Sequence, residues 1–157
     1  MNKKLLIFFI VALFVLGAGV FLLYSYFSKN SECASKPCIG VNGHFFRIEV
    51  ADTIAKRTEG LSGREGLAED EGMLFVFDSP MRYGFWMKGV KFPIDIIWIK
   101  DNKVVDLSEN IQPEAGKPDS ELKIYNPHEP VNKVLELKAG TVKKYGFRSG
   151  DSVEVSL

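Results

Sequence analysis

The sequence predicts an all-β domain, a sandwich or barrel with two short helices, behind one N-terminal transmembrane helix. Three observations carry this. Short apolar runs rich in Phe, Ile, Val and Trp recur after residue 43, each bounded by Gly, Pro, Asn or Asp, the pattern of many short strands joined by turns. Gly60, Gly63 and Gly66 interrupt the longest stretch that begins as a helix. Leu5–Phe27 is an unbroken uncharged run at the N-terminus.

That run of 23 residues would reach about 34 Å as a helix, enough to cross a hydrocarbon core of about 30 Å. It ends in Leu22-Leu23-Tyr24-Ser25-Tyr26-Phe27, too bulky for the small-x-small site of a cleaved signal peptide, so an uncleaved signal anchor over residues 1–27 is expected. Tyr24 and Tyr26 suit the interfacial aromatic belt, and Lys3 and Lys4 keep the N-terminus cytoplasmic. The domain then faces outward. Residues 28–43 are polar and read as a stalk. Both cysteines, Cys33 and Cys38, fall in it, and outside the cytoplasm such a pair would close a small disulfide loop. Their spacing is not that of a CxxC redox motif, and only His44 is near enough to add a metal ligand.

The domain proper is expected over 44–157, long enough to bury its own core. His44 to Val50 alternates, with Phe46, Ile48 and Val50 on one parity, and reads as a strand with one wet face. Ala51-Asp52-Thr53 offers an N-cap, and Ile54 to Leu61 can make about two helical turns. Met73–Phe77, Phe85–Met87 and Ile94–Ile99 read as buried strands. Asp101-Asn102 turns the last of these back into Lys103–Leu107. The segment 111–130 holds four prolines and is a long excursion with one short strand near Lys123–Tyr125. Asn132–Lys138 is a strand, Ala139-Gly140-Thr141 caps a single helical turn to Tyr145 closed by Gly146, and Ser152–Leu157 is an alternating final strand.

The chain holds 20 basic and 20 acidic residues, and beyond Phe27 the balance is 18 to 20. No basic face emerges, which argues against nucleic acid as a partner. Asp95 is the odd residue of the Ile94–Ile99 run, on the parity of Ile97 and Ile99. A carboxylate there is either buried with a partner or aimed into a cleft.

Several motifs stand together: Arg57-x-x-Gly60-Leu61-x-x-Arg64, Glu71-Gly72-Met73-Leu74-Phe75-x-Phe77, Phe85-Trp86-Met87-Lys88, and Pro93-x-Asp95-Ile96-Ile97. Val134-Leu135-Glu136-Leu137-x-Ala139-Gly140-Thr141 and Gly146-x-x-x-Gly150-Asp151 complete the set. From Phe46 to the C-terminus the chain resembles domain-of-unknown-function family 192. The resemblance implies a jelly-roll-like β-sandwich, exported or membrane-anchored, and brings no biochemical function with it. The sequence departs from the family pattern at Ser62, where Met is usual, and at Gly89-Val90, where Asn-Thr is frequent.

The candidate polar cluster is Arg57, Glu59, Arg64, Glu71 and Asp95. Its bland reading is a buried Asp–Arg pair fixing the short helix against the sheet; its functional reading is a pocket that binds or transforms a ligand. Met73, Phe85, Trp86 and Met87 could line a cleft, although core packing explains such residues as well. Neither Gly60-Leu61-Ser62-Gly63-Arg64 nor the two histidines, His44 and His128, carries a nucleophile signature, and no cofactor or metal cluster is implied. The function this supports is a non-enzymatic ligand-binding or accessory module of the cell envelope, held in the membrane by one span. One alternative is a hydrolase or lyase on an envelope polymer, using Asp95, a second carboxylate and Arg57 or Arg64. The other is a purely structural module.

Overall fold

The computed structural model describes residues 37–157 and, before them, Leu16, Gly17, Gly19 and Val20. The chain divides into two units, Met1–Ser35 and Lys36–Leu157. The expected span Leu5–Phe27 lies outside the described residues except for those four, which are helical; Cys33 lies outside them too. Among the described residues no helix is long and apolar enough to cross a membrane.

The second unit runs β1 (Cys38–Val41), β2 (His44–Ala51), α1 (Ile54–Glu59), β3 (Glu71–Met81), β4 (Ile94–Lys100), β5 (Lys103–Ile111), a 3-10 turn (Asp119–Glu121), β6 (Val131–Lys138), α2 (Thr141–Tyr145) and β7 (Val153–Ser156). The seven strands form one sheet in the order β5-β4-β6-β3-β2-β1-β7. Only β2 and β3 are parallel, and they need the long crossover through α1 for that reason. The β1–β2 hairpin closes through Asn42 and Gly43, with φ of 47° and 78°, the positive pair that a tight right-twisting turn demands.

The sheet curls until its two edges meet. Lys103 at the start of β5 bridges Ser152 just before β7. Val104 N–H donates to Asp151 O at 3.0 Å, and Val153 N–H to Asn102 O at 2.9 Å. Strand alternation then gives two apolar faces rather than one. Strands from both edges converge on the inner face, where Ile39, Phe46, Leu74, Ile97 and Leu135 pack with Val142 and Phe147 from α2 and its exit. On the other face Met73, Phe75, Ile96, Trp98 and Val134 lie beneath Leu61, Met87 and Val90, which come from the segments after α1 and after β3.

The all-β expectation holds, with two short helices where they were placed, but three local readings need correction. The sandwich resolves into a single curled sheet, with no separate second sheet among the described residues. The expected stalk ends earlier than residue 43: Cys38–Val41 is a fully buried strand between β2 and β7. Phe85–Met87 is not a strand. Phe85 makes one antiparallel bridge to Tyr125, with both N–H···O bonds, 2.9 and 2.8 Å, and the chain then folds down to bury Met87.

Candidate functional site

In β6, Leu135 and Leu137 point to the inner face, and Val134 and Glu136 to the other. Glu136 stands between Met73 on β3 and Ile96 on β4, both buried and apolar. It is 4% exposed, and its Oε2 is buried with no hydrogen-bond partner. Burial pushes its carboxyl up to about 8, while the Arg64 guanidinium pulls weakly the other way. At neutral pH Glu136 is therefore mostly a neutral acid, able to donate a hydrogen bond as well as accept one.

Above it lies a cavity of about 330 Å³. The sequence builds its roof from α1. Thr53 Oγ1 accepts from Lys56 N–H at 3.3 Å and starts the helix. Gly60, at φ 51°, ends it, donating its N–H to Lys56 O and turning the chain so that Leu61 is buried. The walls are aromatic. Phe77 and Tyr83 stack with centroids 3.6 Å apart, and Phe85 meets Phe75 and Trp98 edge-on at 4.8 and 5.5 Å. Trp86 forms the rim and is 45% exposed. The edge-on contacts are of the kind that aromatic pairs prefer.

Charged groups stand around the opening. Arg57 Nη1 donates to the carbonyls of Asp52 and Val76 at 2.9 and 2.8 Å, and its guanidinium lies 5.2 Å from the Phe77 centroid. Lys88 pairs with Asp119 and sits 5.5 Å from the Trp86 centroid. Glu59 also lines the cavity. Ser62 Oγ donates to Lys88 O at 2.7 Å, and Gly63 N–H to Gly89 O at 2.9 Å, tying the α1 exit to the Trp86 segment. A Cβ on Gly89 would come within 3.1 Å of Ser62 Cβ, so the two departures from the family pattern face each other here.

The structure brings together Arg57, Glu59, Phe85 and Trp86 from the sequence-predicted set. Arg64 and Glu71 lie on the same side of the sheet but are engaged elsewhere. Arg64 forks onto Glu49 at 2.5 and 2.7 Å, which holds the Glu49 carboxyl below its usual range, and Glu71 pairs with Arg47 at 3.2 Å. Met73 and Met87 are core residues.

Asp95 is on the opposite face and fully buried. Its expected arginine partner is not there. Oδ1 accepts from Asn110 N–H at 2.7 Å and Oδ2 from Val142 N–H at 2.8 Å. The carboxylate thus ties the start of α2 to Asn110, which has a φ of 49°. This is a structural role, with backbone amides in place of an ion pair. Sequence reasoning missed Glu136, Phe77 and Tyr83 as site residues. For Glu136 a signal existed, a carboxylate between two leucines in a strand. Among the described residues no group of three His, Cys, Asp or Glu side chains could hold a metal ion. Cys38 is disulfide-bonded; its expected partner, Cys33, lies outside the described residues.

The profile of a family described as "Uncharacterized ACR" matches residues 38–155. The chain belongs to the DUF192 family. Solved structures that share its fold include two relatives. One, a candidate transcription regulator from Sinorhizobium meliloti 1021, is 34% identical over 77% of this chain and 94% of its own, with a TM-score of 0.69. The other, a protein of unknown function from Novosphingobium aromaticivorans, is 32% identical over 74% of this chain and 83% of its own, with a TM-score of 0.68. No match exists among curated proteins. DUF192 membership thus accounts for nearly the whole β domain and assigns it no activity.

Proposed function

We propose that this DUF192 protein is a non-enzymatic binding module of the cell envelope, held to the membrane by residues 1–27, that takes a small molecule in the pocket over Glu136. The observation that carries the reading is the orphaned carboxyl oxygen of Glu136 beneath preassembled aromatic walls. An unsatisfied buried polar group costs stability, and a pocket with convergent polar groups and a perturbed acid is where ligands bind. The oxidised state of Cys38 suits an outward-facing domain. Hydrolysis through Asp95 is not part of the proposal, because both of its oxygens are committed to backbone amides away from the pocket.

The test uses the chain's two tryptophans, Trp86 at the pocket rim and Trp98 buried beneath Phe85. A small-molecule panel titrated into the purified full chain should include compounds that change its fluorescence saturably, with the response lost in Trp86→Phe and retained in Trp98→Phe. A response carried by Trp98 alone, or none across the panel, refutes a ligand in this pocket.

A further inference from the structure

Resting on the reading of the pocket as a ligand site, we propose that its ligand is a small organic acid, with a carboxylate at Arg57 and an aromatic or apolar body against Phe77, Tyr83 and Trp86. Arg57 carries the argument. Arg47, Arg64 and Arg148 each have a carboxylate within ion-pair distance, whereas Arg57 and Arg82 hydrogen-bond only to carbonyls among the described residues, and of these two Arg57 lines the pocket. Both of its bonds use Nη1, which leaves Nη2 and Nε for a ligand in the planar geometry that suits a carboxylate.

The other polar groups around the pocket agree. Lys88 also lines the pocket, paired with Asp119, and of the two lining carboxyls, Glu59 and Glu136, the one on the floor is pushed up to about 8. A neutral acid on the pocket floor does not repel an anion and can donate a hydrogen bond to it. A cationic ligand fits worse. Arg57 and Lys88 already occupy ring faces at Phe77 and Trp86, where a ligand cation would gain most, and both would repel it. The cavity of about 330 Å³ lies at the small end of the range for ligand sites, about 300–1,000 Å³, which suits a small ligand such as a single ring with a short side chain.

The sign of the pH dependence follows. The groups around the Glu136 pocket are Arg64 beyond the α1 exit, Arg57 and Glu59 on α1, Tyr83 on the wall, and Lys88 on the Trp86 segment with its partner Asp119, with apolar Met73 and Ile96 on the flanking strands. As pH rises through the Glu136 value, the neutral donor becomes a second anion under the ligand. An acid ligand should then be held more weakly, a neutral one nearly unchanged, and an amine more tightly.

The experiment is calorimetric titration of the purified full chain with phenylacetate, benzyl alcohol and benzylamine, three probes of one shape and different charge. Phenylacetate should bind best, and its affinity should fall about tenfold between about pH 6 and about pH 9. Glu136→Gln should flatten that dependence. Arg57→Gln should weaken phenylacetate by about tenfold or more while leaving benzyl alcohol unchanged, which also shows that the variant is folded. Tighter binding of benzylamine, or an Arg57→Gln effect equal on acid and alcohol, overturns the assignment of an acid but leaves the pocket as a ligand site. Binding of none of the three overturns both.

Discussion

Glu136→Gln should stabilise this protein, and by an amount that depends on pH. The wild-type carboxyl has an ordinary value of 4.5 and is pushed up to about 8 in the fold. A raised carboxyl means that the folded state keeps a proton the unfolded chain has already lost. The penalty is absent below the unfolded value, grows as pH rises above it, and levels off beyond the folded value. At about 1.4 kcal/mol per unit, it amounts to less than about 1 kcal/mol at pH 5, about 3 at pH 7 and about 4–5 above pH 9. Glutamine keeps the shape and cannot ionise, so it removes this penalty and retains the cost of poorly satisfied polar atoms. Urea unfolding of wild type and variant at several pH values, compared as a difference, isolates this one group. The variant should gain about 2–3 kcal/mol at pH 7 and almost nothing at pH 5. A difference that does not change with pH, or a wild type more stable at pH 7 to 8, would show that Glu136 is ionised and partnered in the fold. The reasoning from an orphaned oxygen would then fail. A leucine in its place would match the neighbouring apolar side chains, so a measured penalty of this size would support the proposed binding role of the position.

Four further outcomes follow. Asp95→Ala should cost about 3–5 kcal/mol through the loss of two charge-assisted bonds, and its cost should add to that of Arg57→Ala within about 0.5 kcal/mol, since the two share no partner; a coupling well above 1 kcal/mol in denaturant unfolding would restore the ion pair. Gly72→Ala should cost about 1–3 kcal/mol, because a Cβ there would stand 2.7 Å from Leu137 Cδ2 and 3.0 Å from Glu136 O; an unchanged unfolding midpoint would contradict the packing of β3 on β6. Mass spectrometry of unreduced protein should show Cys33 joined to Cys38, and reduction should cost at most about 2 kcal/mol for so short a loop; two free thiols would remove the case for an oxidising compartment. Alkaline extraction should leave the full chain in the membrane pellet; a soluble species starting near residue 28 would show that the N-terminal segment is cleaved.

The strands that could be read from sequence were those whose own residues carry the alternation. β2 shows it through Phe46, Ile48 and Val50, and β7 through Val153 and Val155. β4 shows a continuous apolar run because both of its faces are covered. β1 was not legible, because four residues between Pro37 and Asn42-Gly43 look like linker until β2 and β7 come to lie on either side. Phe85–Met87 misled in the other direction. Its apolar side chains are real, but they serve the pocket wall and the core beneath it, and its backbone has a single bridge.

The two buried acids show where sequence reasoning stops. Asp95 and Glu136 give the same local signal, a carboxylate inside an apolar strand, and they sit on neighbouring strands β4 and β6. Strand periodicity places them on opposite faces, because Asp95 lies opposite Leu137 and Glu136 opposite Ile96. What separates them is the supply of donors. Asp95 meets two backbone amides, at positions 110 and 142, brought to it by a turn of β5 and by the start of α2. Backbone amides have no sequence signature, so neither partner could be read in advance. Glu136 meets aromatic rings and a cavity instead, and its Oε2 remains unpaired. Once the donors are counted, the acid singled out by the sequence is part of the scaffold, and the one carried unnoticed inside Val134-Leu135-Glu136-Leu137 is the one with an unsatisfied oxygen, on which the proposed binding role rests.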